Sequence, residues 1–165
     1  MIRQITVRVQ NSPGRLYRIV KALSAAGVDL KALEVNERGG GEYGEIHMIA
    51  NNLQKASDIL TQLDQPYEIG EVLVVEMEDR VGGLAGVLEV LNKNSINIHF
   101  MYAFVTRIKG KSLCVFSVDE PGRVKDTMTE AGLVVIEDTT LEGDPKDAES
   151  NQSALDYYLG GKYFW

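Results

Sequence analysis

The 165-residue chain holds a single cysteine, one tryptophan, two histidines and four prolines. A lone cysteine, Cys114, has no internal disulfide partner. In a strand-like apolar run it reads as a small core residue, not a nucleophile or a ligand. His47 and His99 do not occupy matching positions in the repeat described below, and there is no CxxC pair. Both histidines therefore read as half-exposed strand residues; neither a metal site nor a cofactor is expected. No apolar run approaches membrane-spanning length. The start, Met1-Ile2-Arg3-Gln4-Ile5, alternates apolar and polar where a signal peptide would be continuously apolar. The expected location is the cytoplasm, without membrane association.

Excess positive charge is also missing. The formal net charge is −7, and residues 137–150 carry Glu137, Asp138, Glu142, Asp144, Asp147 and Glu149 against Lys146 alone. The remainder is close to neutral, which argues against binding along a phosphate backbone. Arg8, Gln10, Glu76 and Glu78 do not supply the exposed strand aromatics that an RNA-binding sheet uses. No nucleic-acid partner is expected. With 44% hydrophobic and 25% charged residues, the composition is still that of a globular protein.

What the chain does have is a repeat at an offset of 68 residues. Val7 falls on Val75, Gly14 on Gly82, Leu16 on Leu84 and Leu23 on Leu91. The quartet Leu16, Ile19, Val20, Leu23 returns as Leu84, Val87, Leu88, Leu91; Ala56, Ile59, Leu60, Leu63 returns as Val124, Thr127, Met128, Ala131. All four have the i, i+3, i+4, i+7 spacing of a helix with one buried face. Two units of about 70 residues follow, 1–70 and 71–138, each small enough to gain from packing on the other.

In the first unit Ile5, Val7 and Val9 alternate as a half-buried strand until Asn11-Ser12-Pro13-Gly14 breaks the pattern. A helix from Leu16 ends at Gly27, and strands at 28–35 and 42–50 flank the turn Arg38-Gly39-Gly40-Gly41. That turn lacks the Lys-Ser/Thr of a phosphate-binding loop. Asn51 and Asn52 cap a helix over 53–63. Tyr67 to Met77 is expected to hold a fourth strand, a turn at Gly70, and the first strand of the next copy. The second copy places its elements at 72–78, 82–94, 96–107, 111–118, 121–131 and 133–138, with Asp119 as a helix cap before Pro121. Each copy reads β-α-β-β-α-β, a ferredoxin-like α+β fold: an antiparallel four-stranded sheet with both helices on one face. The two copies are expected side by side.

Residues 139–165 lie outside the repeat as an acidic linker and a tail. Leu155, Tyr157, Tyr158, Leu159, Tyr163, Phe164 and Trp165 place five of the twelve aromatics in the last nine residues. Such a tail either docks on the chain's own sheet or seam, or serves as a partner or oligomer contact.

Both copies carry a glycine-bearing loop between first strand and first helix: Asn11-Ser12-Pro13-Gly14-Arg15-Leu16 and Asp79-Arg80-Val81-Gly82-Gly83-Leu84. Glycine allows a sharp bend and close approach of a ligand, and the helix start offers unpaired N–H groups to an anion. Asn11 and Asp79 can offer a side-chain oxygen to an ammonium group, or simply shape the turn and cap the helix. With the following Gly27-Val28-Asp29-Leu30 and Ser95-Ile96-Asn97-Ile98, this pattern resembles the ACT domain family of small-molecule regulatory modules, twice over some 138 residues. The second loop departs from it, with Val81-Gly82-Gly83 where the family has Pro-Gly, and a looser turn is expected there.

The resemblance implies a βαββαβ fold, no catalytic machinery, and a free amino acid held where two such domains meet. One domain supplies an Asn from the loop and the turn's backbone amides; its neighbour supplies an Asn from the start of its second strand. The residues implied are Asn11, Ser12, Pro13, Gly14, Arg15 and Leu16 with Asn97 and Ile98. A second, weaker site would use Asp79, Val81, Gly82, Gly83 and Leu84 with Asp29 and Leu30. Across a pseudo-twofold seam Asn11 faces Asn97 and Asp79 faces Asp29, and the two carboxylates repel each other and an amino acid's carboxylate. If each copy instead pairs with its twin in another chain, both sites become Asn/Asp mixtures. The chain is thus expected to be a non-enzymatic, oligomeric amino acid sensor acting in trans on a metabolic enzyme or regulator. An oligomerisation module with vestigial loops is the alternative from another class. An acylphosphatase-like hydrolase, suggested by Arg15 and Arg80, is the lesser one, since arginine beside a turn is usually solvated or in a surface ion pair.

Overall fold

The computed structural model describes residues 1–38, 41–108 and 110–137. The elements run β1 Ile2–Gln10, α1 Arg15–Ala25, β2 Leu30–Arg38, β3 Tyr43–Ala50, α2 Leu53–Gln62, β4 Tyr67–Glu78, α3 Gly83–Lys93, β5 Ile98–Ile108, β6 Lys111–Val118, α4 Pro121–Glu130 and β7 Val135–Ile136. The chain divides into two compact units, Arg3–Gly70 and one built on Glu71 onward with Met1–Ile2. In the first the strand order is β2-β3-β1-β4, to which it contributes the start of β4; in the second it is β5-β6-β4 with β7 also on β4. The pairs β1–β3, β2–β3, β4–β6, β4–β7 and β5–β6 are antiparallel. The tail 139–165 lies outside the described residues.

The helical quartets land as their spacing requires. In the first unit Ile19, Leu23, Ala56 and Leu60 pack on Ile5, Val7, Val9, Ile46 and Met48. In the second Val87, Leu91, Val124 and Met128 pack on Leu73, Val75, Cys114 and Phe116. Only Ala131 departs, as the exposed C-cap of α4. The Asn52 side chain accepts from the Lys55 N–H at 2.9 Å and starts α2. Burial pushes the Cys114 thiol up to about 12, leaving it a neutral core side chain.

Three local expectations are corrected. There is no turn at Gly70: β4 runs unbroken from Tyr67 to Glu78, because the last strand of one copy and the first of the next are a single extended segment. Asp119 does not cap α4. The N-cap is Glu120, in the left-handed region at φ 50°, and Asp119 instead lies 3.2 Å from His99. His47 is not half-exposed but 1% exposed, with Gln4 and Thr6 at 3.1 and 3.0 Å from its Nδ1.

That last correction reveals how the two copies diverge. On the sheet face away from the helices, the first copy carries Gln4, Thr6, Glu34, Glu45 and His47. At the same repeat positions the second carries Val72, Val74, Tyr102, Leu113 and Val115. The helix-side faces are apolar in both copies, whereas at these five positions of the opposite face the first copy is polar and the second apolar.

Candidate functional site

The loop after the first strand of each unit is built by the same hydrogen bonds, residue for residue. Ser12 N–H donates to the Gln10 carbonyl at 2.9 Å, as Arg80 N–H does to Glu78 at 2.9 Å. Arg18 N–H reaches the Gly14 carbonyl at 3.0 Å, as Gly86 reaches Gly82 at 3.0 Å. Each loop is tied to the turn of its own hairpin: Asn11 N–H donates to Glu42 at 2.9 Å and Asp79 N–H to Gly110 at 2.8 Å. The helix N-caps are Gly14 at φ 86° and Gly82 at φ 88°, a left-handed conformation that glycine adopts without steric cost.

The second loop is therefore not looser than the first. Its turn has the same geometry, and Gly83 packs so closely that an added Cβ would lie 1.9 Å from the Glu78 carbonyl oxygen. The first copy holds Arg15 at that position. With Gly83 where the first copy has Arg15, the start of α3 lies tight against its own strand.

Neither N-cap glycine has a side chain to satisfy the helix start. Among the described residues, the N–H groups of Leu16 and Tyr17, and of Leu84 and Ala85, have no hydrogen-bond acceptor. These are the free donors of a helix N-terminus, with the dipole's partial positive charge behind them. Asn11 and Asp79 do not cap the helices, and among the described residues neither side chain makes a hydrogen bond. Both are exposed and face solvent with their polar atoms free.

Around that shared backbone the chemistry differs. In the first loop the Arg15 guanidinium lies 3.3 Å from Ser12 Oγ and 3.4 Å from Gln10 Oε1. Arg18 stands one turn further along α1. Asn11 also lines a shallow concavity of about 430 Å³ with Gln10, Gly41, Glu42 and Tyr43; the Arg8 guanidinium lies 5.2 Å from the Tyr43 ring centre. In the second loop Asp79 follows Glu78, whose carboxyl Lys111 holds below the usual carboxylate range through a hydrogen bond and its charge. Glu76 lies 3.2 Å from the same Lys111. Val81, at the tip, is 99% exposed.

The strand-start residues differ as well. Asp29 is occupied: Lys31 Nζ lies 2.8 Å from its carboxylate, and its N–H donates to Asn51 Oδ1 at 2.9 Å. Asn97 is exposed, and among the described residues its amide has no partner. Leu30 and Ile98, which follow them as the first residues of β2 and β5, pack partly buried on their own cores. β2 hydrogen-bonds β3 and β5 hydrogen-bonds β6. Sequence reasoning missed the buried polar group around His47, because alternation along a strand shows which side a residue faces but not what covers that side.

Among the described residues no three metal-ligating side chains come together, and no helix is long and apolar enough to cross a membrane. No curated protein matches the chain. Among solved structures it is similar to a Bacteroides thetaiotaomicron protein at 21% identity and a TM-score of 0.77, over 85% of this chain and 94% of that one. It also resembles the ligand-free regulatory subunit of aspartate kinase from Thermus thermophilus, at 10% identity and a TM-score of 0.58, over 78% and 91%. Aspartokinase alpha and beta subunits align at 18% identity and a TM-score of 0.54, over 79% and 91%. At these identities the likenesses establish the fold. The family model for an ACT domain pair matches residues 1–143. Two βαββαβ copies, each with the glycine loop in one conserved geometry, and that match together show that the chain belongs to the ACT domain pair family.

Proposed function

We propose that this chain is a non-catalytic sensor that binds one free amino acid and passes its occupancy to a partner protein in trans. The ligand's carboxylate sits on the free N–H groups of Leu16 and Tyr17 at the start of α1, and its ammonium group on Asn11 Oδ1. Ser12, Pro13, Gly14 and Arg15 hold the turn open for it. Asn97 and Ile98, at the start of the other repeat's second strand, complete the site; because β2 and β5 are edge strands, a second copy of the chain supplies that strand. The equivalent set around Asp79, Val81, Gly82, Gly83 and Leu84 with Asp29 and Leu30 does not take an amino acid. It stays empty or holds a cation.

The observation that carries this reading is one backbone geometry with two chemistries. Both loops present the same open helix start, but only Asn11 and Asn97 are neutral and free, whereas Asp29 is already paired with Lys31. The fold neighbour named as the regulatory subunit of aspartate kinase supports a regulatory role. Coupling is by population shift: a ligand that bridges two domains favours the arrangement in which they are joined. A free amino acid of about ten heavy atoms should bind with micromolar to millimolar affinity, about −8 to −4 kcal/mol.

A thermal-shift screen against the twenty amino acids tests this. At about a hundred times its Kd a ligand stabilises the folded state by about 2.7 kcal/mol. For a chain of this size that is a rise of roughly 5–10 °C in Tm. One amino acid, or a few chemically related ones, should produce it. A flat screen, with an oligomer that depends on residues 154–165, favours the oligomerisation module instead.

A further inference from the structure

The two loops share one backbone and carry different charge. Around the first stand Arg8, near the end of β1, and Arg15 and Arg18, on the opening turns of α1. The same repeat positions around the second hold Glu76, Gly83 and Gly86, and Arg80 stands where the first loop has Ser12. The acids of the second loop are matched on the spot: Lys111 lies 3.2 Å from Glu76 and is hydrogen-bonded to Glu78. Among the described residues Arg8, Arg15 and Arg18 make no ion pair. Arg15 meets only neutral acceptors at long range, Ser12 Oγ and Gln10 Oε1 at 3.3 and 3.4 Å, so most of its five donors are unused. Arginine also opposes the dipole at a helix start, and the first turn of α1 holds no acidic residue to offset it. Glu42 is the one acidic residue lining the concavity beside Asn11; it is exposed and makes no ion pair among the described residues. One copy thus concentrates unbalanced positive charge at its loop, and the other has lost it.

We infer that the amino acid held at Asn11 is a dicarboxylic one, its side-chain carboxylate received by Arg15 with the charge of Arg18 behind it. This rests on the site proposed above and names the class of its ligand. There the α-carboxylate takes the N–H groups of Leu16 and Tyr17, and the ammonium group takes Asn11 Oδ1. One anionic group is then provided for without any arginine, and the guanidinium groups remain to be matched. Gln10 joins the two features, since it lines the concavity with Asn11 and Tyr43 and also accepts from Arg15. A carboxylate in the concavity would replace that neutral amide with the partner guanidinium prefers, a planar anion that takes two parallel hydrogen bonds. Arg18 lies three residues on, on the same side of α1, and long helical side chains lean toward the helix start. It therefore adds positive charge at the same place. A neutral side chain would leave this charge unmet, and a basic one would be repelled by it.

Calorimetric titration of the full chain with aspartate and glutamate, against asparagine and glutamine, tests this, because each amide keeps the shape of its acid and loses the charge. At least one acid should bind about tenfold or more tighter than its amide. Arg15→Gln/Arg18→Gln should erase that difference by weakening the acid alone, whereas Asn11→Ala should weaken acid and amide alike. The arginine variant should keep or raise the Tm of the ligand-free chain, since two cations leave the helix start. A fall in that Tm would make the arginines structural and overturn the inference, as would an acid that binds the variant with unchanged Kd. A neutral or basic amino acid that binds tighter than both acids, depends on Asn11 and ignores the arginine change would overturn the inference and leave the sensor reading standing. Binding of no amino acid at all would overturn both.

Discussion

Converting Asn11 and Asn97 together to aspartate should weaken amino acid binding about 100-fold, the largest effect expected at this site. The double variant gives the first site the charge of the second. One of the two carboxylates is offset by the ligand's ammonium group; the other faces the ligand's own carboxylate with nothing to balance it. At about 5 Å and an effective dielectric of about 20, that repulsion is about 3 kcal/mol, or roughly two decades in Kd. The single change Asn11→Ala removes one hydrogen bond to a charged group, about 1.5–3 kcal/mol, and should cost roughly tenfold or more. The converse pair, Asp29→Asn/Asp79→Asn, should create amino acid binding at the second site, since the loop geometry is already that of the first. Calorimetric titration of the three variants measures all of this. Unchanged affinity in Asn11→Asp/Asn97→Asp would remove these residues from the site.

The second large effect concerns stability. Gly83→Ala should destabilise the chain by about 3 kcal/mol, because the new methyl group would meet a backbone oxygen that cannot rotate away. In Tm that is a fall of roughly 6–12 °C. Gly82→Ala is the matched control. Its Cβ would enter open space, and the cost is only that of holding alanine at φ 88°, about 1–2 kcal/mol. Urea unfolding of both variants should rank Gly83→Ala as the worse, with the slope against urea unchanged. The reverse ranking would mean that the close approach to Glu78 relaxes at little cost.

The repeat and its helices were legible because each core helix wrote its buried face at a fixed spacing. Leu23 and Leu91 are buried at matching positions, and so are Leu60 and Met128. What escaped has a common physical cause: it depends on what lies beyond the local pattern. Gly70 looked like a break, but nothing around it demands a turn, and the strand passes straight through. His47 reads from its strand position as half-exposed, yet it is 1% exposed, and Gln4 beside it is 3% exposed. Alternation places a side chain on a face of the sheet and cannot say whether that face meets water. At the candidate site the loop and its glycine were readable from the repeat. The Asp29–Lys31 pair, which sets the second site apart, appears only once the strand start is folded.

Unequal sites on equal loops are the core of the proposed function, and the stoichiometry of amino acid binding to the wild-type chain tests it most directly. Titration calorimetry with the amino acid found by the thermal-shift screen should give one site per chain, weakened about 100-fold by Asn11→Asp/Asn97→Asp and unaffected by Asp79→Ala. Two equal sites per chain, or one that is lost with Asp79→Ala, would contradict it.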